Sequence, residues 1–156
     1  MLRIEKITAA GPELNLVRTL FKEYAAALNV DLGFQNFDHE LDDPLEKYGP
    51  PHGNLLIAFW NDEPAGCIAL QPIKQDGVCE MKRLYITPAF RKYGIGDELV
   101  KKLLSEAKNL GYQKMVLDTL DTLQPAIRLY KRNGFKNTSA YYFNPLPNVV
   151  YMEKEL

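Results

Sequence analysis

Residues 79–99 read CEMKRLYITPAFRKYGIGDEL, and this stretch decides the fold. Cys79 to Ile86 is typical of a strand, and Thr87-Pro88 ends it because proline cannot donate to a strand ladder. From about Gly94 the apolar residues recur at helical spacing, at positions 95, 99, 100, 103, 104, 107 and 110. The pattern therefore predicts a strand that enters a long amphipathic helix through the loop RKYGIG, residues 91–96.

The start of this helix is suited to binding an anion. The first amides of a helix have no partner within it, and the helix dipole places partial positive charge there. Gly94 and Gly96 allow the main chain to approach a phosphate closely. The loop is not a dinucleotide fingerprint, because Leu99 stands where the third glycine is needed, and no Gly-Lys-Ser/Thr of a P-loop follows. We therefore expect a different phosphorylated cofactor.

A second motif, LYKRNGF at residues 129–135, narrows the choice of cofactor. In order along the chain stand a strand carrying Glu80, the pattern R-x-x-G-x-G, an amphipathic helix, a strand and L-Y-x-x-x-G-F. This combination resembles the GNAT superfamily of acyl-CoA-dependent N-acetyltransferases. The specific match covers residues 79–135, and the rest of the chain agrees in length and element order.

The remaining patterns predict the order β-α-α-β-β-β-α-β-α-β-β in a single domain, residues 1–156. This α/β (α+β) layout fits the fold that the resemblance implies, a mixed, mostly antiparallel seven-stranded sheet flanked by about four helices. Strands are expected at residues 2–7, 55–60, 65–73, 79–86, 115–120, 141–143 and 149–152, and helices at 12–29, 37–41, 94–110 and 124–133.

Composition excludes several other classes of protein. The 156 residues are 46% hydrophobic and 25% charged, and the formal net charge of −1 argues against a nucleic-acid-binding domain. No run of about 18 apolar residues suggests a membrane span. Cys67 and Cys79 fit a reduced cytoplasmic protein, and neither cysteine nor His39 and His52 shows metal-ligand spacing.

The resemblance implies coenzyme A, with acetyl-CoA as co-substrate and no metal. The pyrophosphate is expected on the amides of the loop and first helical turn, with Arg91 adding positive charge. Lys92 could meet the 3′-phosphate or belong to a solvated helix face. The pantetheine arm is expected beside the strand, where Leu84 and Ile86 would offer main-chain groups. The implied cofactor-binding residues are Leu84, Tyr85, Ile86, Arg91, Lys92, Tyr93, Gly94, Ile95, Gly96 and Asp97.

Acetyl transfer to an amine needs a base and an acid. An amine with a pKa near ~10 is mostly protonated at neutral pH, and a thiolate leaves more easily when an acid protonates it. Glu80 matches the strand glutamate that serves as base in several relatives. Alternatively, it is a sheet-face carboxylate paired with Lys82 or Arg83. Tyr130 matches the tyrosine that points at the thioester sulfur in relatives, or it only packs on the sheet.

The acceptor stays open between a small-molecule amine and a peptide amine. An acidic run, Asp38, Glu40, Asp42, Asp43 and Glu46, could attract a cationic amine or form a solvated helix face. Residues 141–143, YYF, could line a pocket or pack in the core. Leu123 stands where many relatives have an asparagine that contacts the cofactor arm, and Asp118, Thr119 or Gln124 could compensate. A homodimer is possible, and the rival function is a non-catalytic acyl-CoA sensor.

Overall fold

The computed structural model describes residues 1–156. The helices are α1 (Pro12–Leu28), α2 (Phe37–Asp42), α3 (Pro44–Tyr48), α4 (Ile95–Asn109) and α5 (Gln124–Arg132), with short 3-10 helices at Gly33–Gln35 and Pro88–Tyr93. The strands are β1 (Leu2–Lys6), β2 (Asn54–Trp60), β3 (Glu63–Pro72), β4 (Val78–Ile86), β5 (Lys114–Leu120), β6 (Lys136–Thr138) and β7 (Val149–Glu155). No helix of the chain combines the length and apolarity that crossing a bilayer requires.

The seven strands form one sheet in the order β1-β2-β3-β4-β5-β7-β6, in which only β4 and β5 are parallel. This confirms the mixed, mostly antiparallel sheet. The parallel pairing joins Val78–Glu80 only to Lys114–Val116, and the two strands then separate. A gap therefore opens in the middle of the sheet, between residues 81–86 of β4 and 117–120 of β5.

Helices cover both faces of the sheet. One apolar core contains α4, Tyr130 of α5 and the strand residues Cys79 and Met81. The other contains α1 together with Phe37 of α2 and Tyr48 of α3. Because side chains alternate across a strand, Glu80 and Lys82 of β4 face the α1–α3 side.

A β-bulge in β4 changes this alternation beside the gap. Cys67 of β3 pairs with Tyr85 and Ala69 pairs with Lys82, so β4 holds one extra residue between the two pairs. Arg83 occupies the left-handed region with φ of 62°, an unusual conformation for a residue with a side chain. After the bulge, Leu84 and Ile86 pack on the α4 core, and Tyr85 packs on the opposite one.

A buried ion pair holds the bulge. Arg83 donates from Nε and Nη2 to the two carboxylate oxygens of Glu40, at 2.8 and 2.9 Å. The two side chains are 1% and 0% exposed. Glu40 also accepts from Lys47 at 3.1 Å. Strained backbone persists where its surroundings over-determine it, and this ion pair is such a constraint.

The structure departs from the predicted elements in two places. The strand expected at residues 141–143 is wrong: β6 lies at Lys136–Thr138, and residues 139–148 form an irregular loop. The structure also adds α3 to the four predicted helices. Asp43 leaves helical geometry, with φ of −143°, and Pro44 begins the new helix, where its missing N–H costs nothing.

Candidate active site

The first turn of α4 presents unpaired backbone N–H groups. Gly94 is the N-cap, with φ of 71°, and it has no side chain to cap the turn. Neither acidic residue of this turn, Asp97 or Glu98, caps it, and Asp97 accepts from Arg132 at 2.9 Å and from Asn133 at 3.1 Å. The amides of residues 95–97 therefore stay available to an external anion.

Close packing fixes this turn against its neighbours. A Cβ on Gly96 would lie 2.8 Å from Leu129 Cδ1 of α5 and 3.9 Å from Ile86 Cγ1 of β4. Only glycine allows the helix start to sit this near both elements without displacing a side chain. The predicted anion site at the start of α4, which we call the cradle, therefore lies where β4, α4 and α5 meet.

The two cations before the cradle are exposed and differ in their contacts. Arg91 donates from Nε to the carbonyl of Ile86 at 2.9 Å, so this bond orients its guanidinium at the end of β4. Lys92 Nζ lies 5.4 Å from the ring centre of Tyr93, which stacks on Trp60 at 4.2 Å. The structure thus brings Arg91, Tyr93, Gly94 and Gly96 to one corner of the protein.

A cavity of about 90 Å³ occupies the gap between β4 and β5. We call this cavity the chamber. Its walls come from β4, β5, α1, α5 and the loop before β7, so it passes through the sheet from one helical layer to the other. The lining residues used below are Lys82, Leu84, Asp118, Leu123, Tyr130 and Asn144.

Tyr130 projects from α5 into the chamber. Its residue is 7% exposed, and its ring packs edge-on against Phe135, with centroids 6.0 Å apart. Burial raises the pKa of Tyr130, with the carboxylates and hydroxyls nearby adding to the effect. The phenol therefore keeps its proton at neutral pH.

Asp118 of β5 is the carboxylate of the chamber. Its Oδ2 accepts from the hydroxyl of Tyr142 and from Asn144 Nδ2, the latter at 2.7 Å. Its Oδ1 has no bonded partner and is not fully buried. Asp118 also contributes to the raised pKa of Tyr130. A proton acceptor and a proton donor thus face the same small cavity.

Glu80 lies on the α1–α3 side, 4% exposed, in the wall of a second cavity of about 490 Å³. We call this second cavity the cleft. Gln71 Nε2 donates to Glu80 Oε1 at 2.9 Å, and the Tyr141 hydroxyl donates to Oε2. The predicted alternative, pairing with Arg83, does not occur, since Arg83 binds Glu40.

The predictions for the acidic run, for residues 141–143 and for the surroundings of Leu123 are confirmed only in part. Glu40 of the acidic run is buried in the ion pair with Arg83, so it belongs neither to a solvated face nor to an amine-attracting one. Tyr141 and Tyr142 do line the cleft. Near Leu123, Asp118 and Thr119 line the chamber, whereas Gln124 is bonded to the carbonyl of Asp121.

Sequence reasoning missed three polar residues of this region. Lys82 and Gln35 line both the chamber and the cleft, and Asn144 holds Asp118. Lys82 carried a signal, because the charged residues of a central strand need structural or functional partners, and β4 contains Glu80, Lys82 and Arg83. Gln35 ends a 3-10 helix of three residues and Asn144 lies in an irregular loop, and neither segment is long enough or regular enough for periodicity to indicate which way a side chain points.

This chain resembles known N-acetyltransferases in sequence and in fold. The model of the acetyltransferase (GNAT) family matches residues 17–135. An uncharacterised N-acetyltransferase of Schizosaccharomyces pombe is 51% identical over 145 residues, which are 92% of this chain and 89% of that protein.

Two solved structures share the fold. An acetyltransferase from Streptococcus agalactiae has a TM-score of 0.81 at 21% identity, over 99% of this chain and 98% of the other. A Bacillus subtilis acetyltransferase in complex with CoA has a TM-score of 0.69 at 22% identity, over 100% and 99% of the two chains.

Proposed function

Because this chain belongs to the acetyltransferase (GNAT) family and is an N-acetyltransferase, we propose that it moves the acetyl group of acetyl-CoA to a primary amine. The amine attacks the thioester directly, in a complex that holds both substrates. The observation that carries this proposal is the gap between β4 and β5. It begins near the unpaired amides of α4 and contains the hydroxyl of Tyr130.

The cofactor has a continuous path in this proposal. The pyrophosphate binds the N–H groups of Tyr93, Gly94, Ile95, Gly96 and Asp97, and Arg91 adds charge. The pantetheine arm enters the gap along Leu84, Tyr85 and Ile86, where β4 lacks a neighbouring strand on the β5 side. The structural relative from Bacillus subtilis, described in complex with CoA, supports this choice of cofactor.

The proposed reaction consists of amine attack, cleavage of the C–S bond and two proton transfers. The neutral amine attacks the carbonyl carbon of the thioester, and a main-chain N–H in the gap stabilises the oxyanion. The C–S bond then breaks, and Tyr130 gives its proton to the departing thiolate. A carboxylate accepts the proton lost by the amine. Tyr130 is the proposed acid because it lines the chamber and its phenol is protonated at neutral pH.

Two carboxylates offer routes for the amine's proton. Glu80, the proposed base, stands in the cleft and would act through Tyr141 or through water, since Gln71 and Tyr141 occupy its oxygens. Asp118 is a second candidate, because its free Oδ1 faces the chamber that holds Tyr130. Comparison of their amide variants decides between them.

A thiol-release assay with acetyl-CoA and a panel of amines tests the proposal. We expect turnover with at least one amine and acetylated product in mass spectrometry. Calorimetry with CoA gives the matching binding measurement. Binding without turnover on every amine would favour the rival sensor function, and an absence of CoA binding would refute the cofactor assignment.

A further inference from the structure

Lys82 is a buried cation without an anionic partner. The residue is 6% exposed, and its Nζ donates to Gln35 Oε1 at 3.0 Å. No carboxylate oxygen lies within 4.0 Å of it, since every ion pair of the chain involves other residues. A lysine ammonium carries three donors, so this one has capacity for further bonds. Buried charges are normally paired, and this lysine has no protein carboxylate to pair with.

The position of Lys82 connects it with the reaction. Lys82 and Gln35 line both the chamber and the cleft, so they form the wall that the two cavities share. An acceptor that enters through the cleft and reaches the chamber must pass this wall. The ammonium of Lys82 is thus placed beside the route of the acceptor.

The charges of the cleft favour an anion there. Its cations are Lys47, Lys74 and Lys82, and its only carboxylate is Glu80. Lys47 lies 3.1 Å from Glu40, whose single charge it shares with Arg83. Glu80 is already bonded by two neutral donors. Lys74 and Lys82 remain without carboxylate partners, and the rest of the polar lining consists of amides and hydroxyls that can bind an anion.

We propose that the acceptor amine also carries an anionic group, a carboxylate or a phosphate, which binds the ammonium of Lys82 at the wall between chamber and cleft. This inference rests on the proposed acetyl transfer and names the class of its acceptor. The anionic group lies within a few atoms of the amine, because the wall adjoins the chamber that receives the amine. The remainder of the acceptor occupies the cleft, whose volume of about 490 Å³ suits a small molecule.

An anion bound at Lys82 would oppose the effect of burial on this side chain. Burial lowers the pKa of Lys82, with Arg83 and Lys47 acting in the same direction and Glu80 and Asp118 opposing them. An anion bound at Nζ would favour the charged form. The ion pair would then form in a water-poor site, where a charge-assisted bond contributes more than at the surface.

Matched acceptors test the inference. The thiol-release assay is run with alanine, alaninamide and ethylamine, then with phenylalanine, phenylalaninamide and phenethylamine, and finally with phosphoethanolamine. We expect kcat/KM to be at least ~10-fold higher for an acid-bearing amine than for its neutral partners, since each lost charge-assisted bond is worth about 1.4 kcal/mol or more. Phosphoethanolamine and the amino acids distinguish phosphate from carboxylate. Equal or higher kcat/KM for the neutral partners would overturn the inference while acetyl transfer itself stands.

Variants assign the effect to Lys82. Lys82→Met keeps the unbranched side chain up to Cε and removes the ammonium, and should raise KM for the acid-bearing acceptor at least ~10-fold with KM for acetyl-CoA unchanged. Lys82→Arg should retain part of the preference. Lys108→Met, on the exposed side of α4, removes one positive charge far from the cleft and should leave both KM values unchanged. An acid preference that survives in Lys82→Met would refute the assignment.

Direct binding separates this inference from the proposed function. If no amine in the panel is acetylated, the proposed function fails, and calorimetry with the same acids and amides still measures the Lys82 site. Tighter binding of the acids to the wild type, lost in Lys82→Met, supports the anion site. Equal binding of acids and amides overturns it.

Discussion

Glu40→Gln should destabilise the protein strongly, although Glu40 lies outside both cavities. The substitution leaves the guanidinium of Arg83 buried without a counter-charge, and removal of one partner from such a pair costs roughly 3–5 kcal/mol. Glutamine can still accept one bond from Arg83, so we expect the lower value, about 3 kcal/mol. For a chain of this length that corresponds to a fall in Tm of roughly 6–12 °C.

The pH dependence of this loss gives a second measurement. Burial alone would raise the pKa of Glu40, but the hydrogen bonds and charge of Arg83, with Lys47, lower it overall from 4.5. A carboxyl with a lowered pKa in the folded state stabilises that state above its unfolded pKa. The stabilisation is lost as pH falls through the folded value. The difference in Tm between wild type and Glu40→Gln should therefore be full at pH 7 and shrink below about pH 4.5.

Thermal unfolding followed by circular dichroism measures both effects, and Glu46→Gln is the matched control. Glu46 makes an exposed contact with the His39 ring, with a side chain 59% exposed, so its loss should lower Tm by less than about 3 °C. Equal shifts for the two variants, or a Glu40→Gln effect independent of pH, would refute the reasoning. Because Arg83 forms the bulge beside the gap, Glu40→Gln should also raise KM for acetyl-CoA.

Three further predictions concern the site itself. Tyr130→Phe should lower kcat at least ~10-fold with little change in Tm, because only the proton donor is lost, and an unchanged kcat removes Tyr130 from the mechanism. The acidic limb of the pH–rate profile should flatten in Glu80→Gln if Glu80 is the base and in Asp118→Asn if Asp118 is, and a limb that survives in both variants places the base elsewhere. Gly96→Ala should raise KM for acetyl-CoA at least fivefold with kcat little changed. The added methyl group would lie 2.8 Å from Leu129 Cδ1 and shift the first turn of α4. An unchanged KM would show that the turn tolerates the displacement.

Local patterns were sufficient to predict six of the seven strands and the long helices. The apolar stripe of α4 and its glycine start are properties of consecutive residues, and so are the strands that surround them. The order of these elements then limits the possible topologies. Cys67 and Cys79 are both buried and free.

The acceptor side was predicted less well because long-range contacts determine it. Tyr141 and Tyr142 have high strand propensity, yet they turn out of the sheet to donate to Glu80 and Asp118, which lie 61 and 24 residues away in sequence. The charged residues next to Glu40 in sequence suggest an exposed side chain. Glu40 is buried because it pairs with Arg83, which lies 43 residues later. Such pairings have no signature in the spacing of nearby residues.

The short contact between β4 and β5 has a consequence for how the protein responds to its cofactor. Only three residue pairs tie the four strands on one side to the three on the other. A pantetheine arm in the gap would supply amide bonds where the ladder is interrupted, acting as a removable eighth strand. Amides of residues 81–86 should therefore exchange their hydrogens more slowly once CoA is bound, and both halves of the sheet should melt together rather than apart.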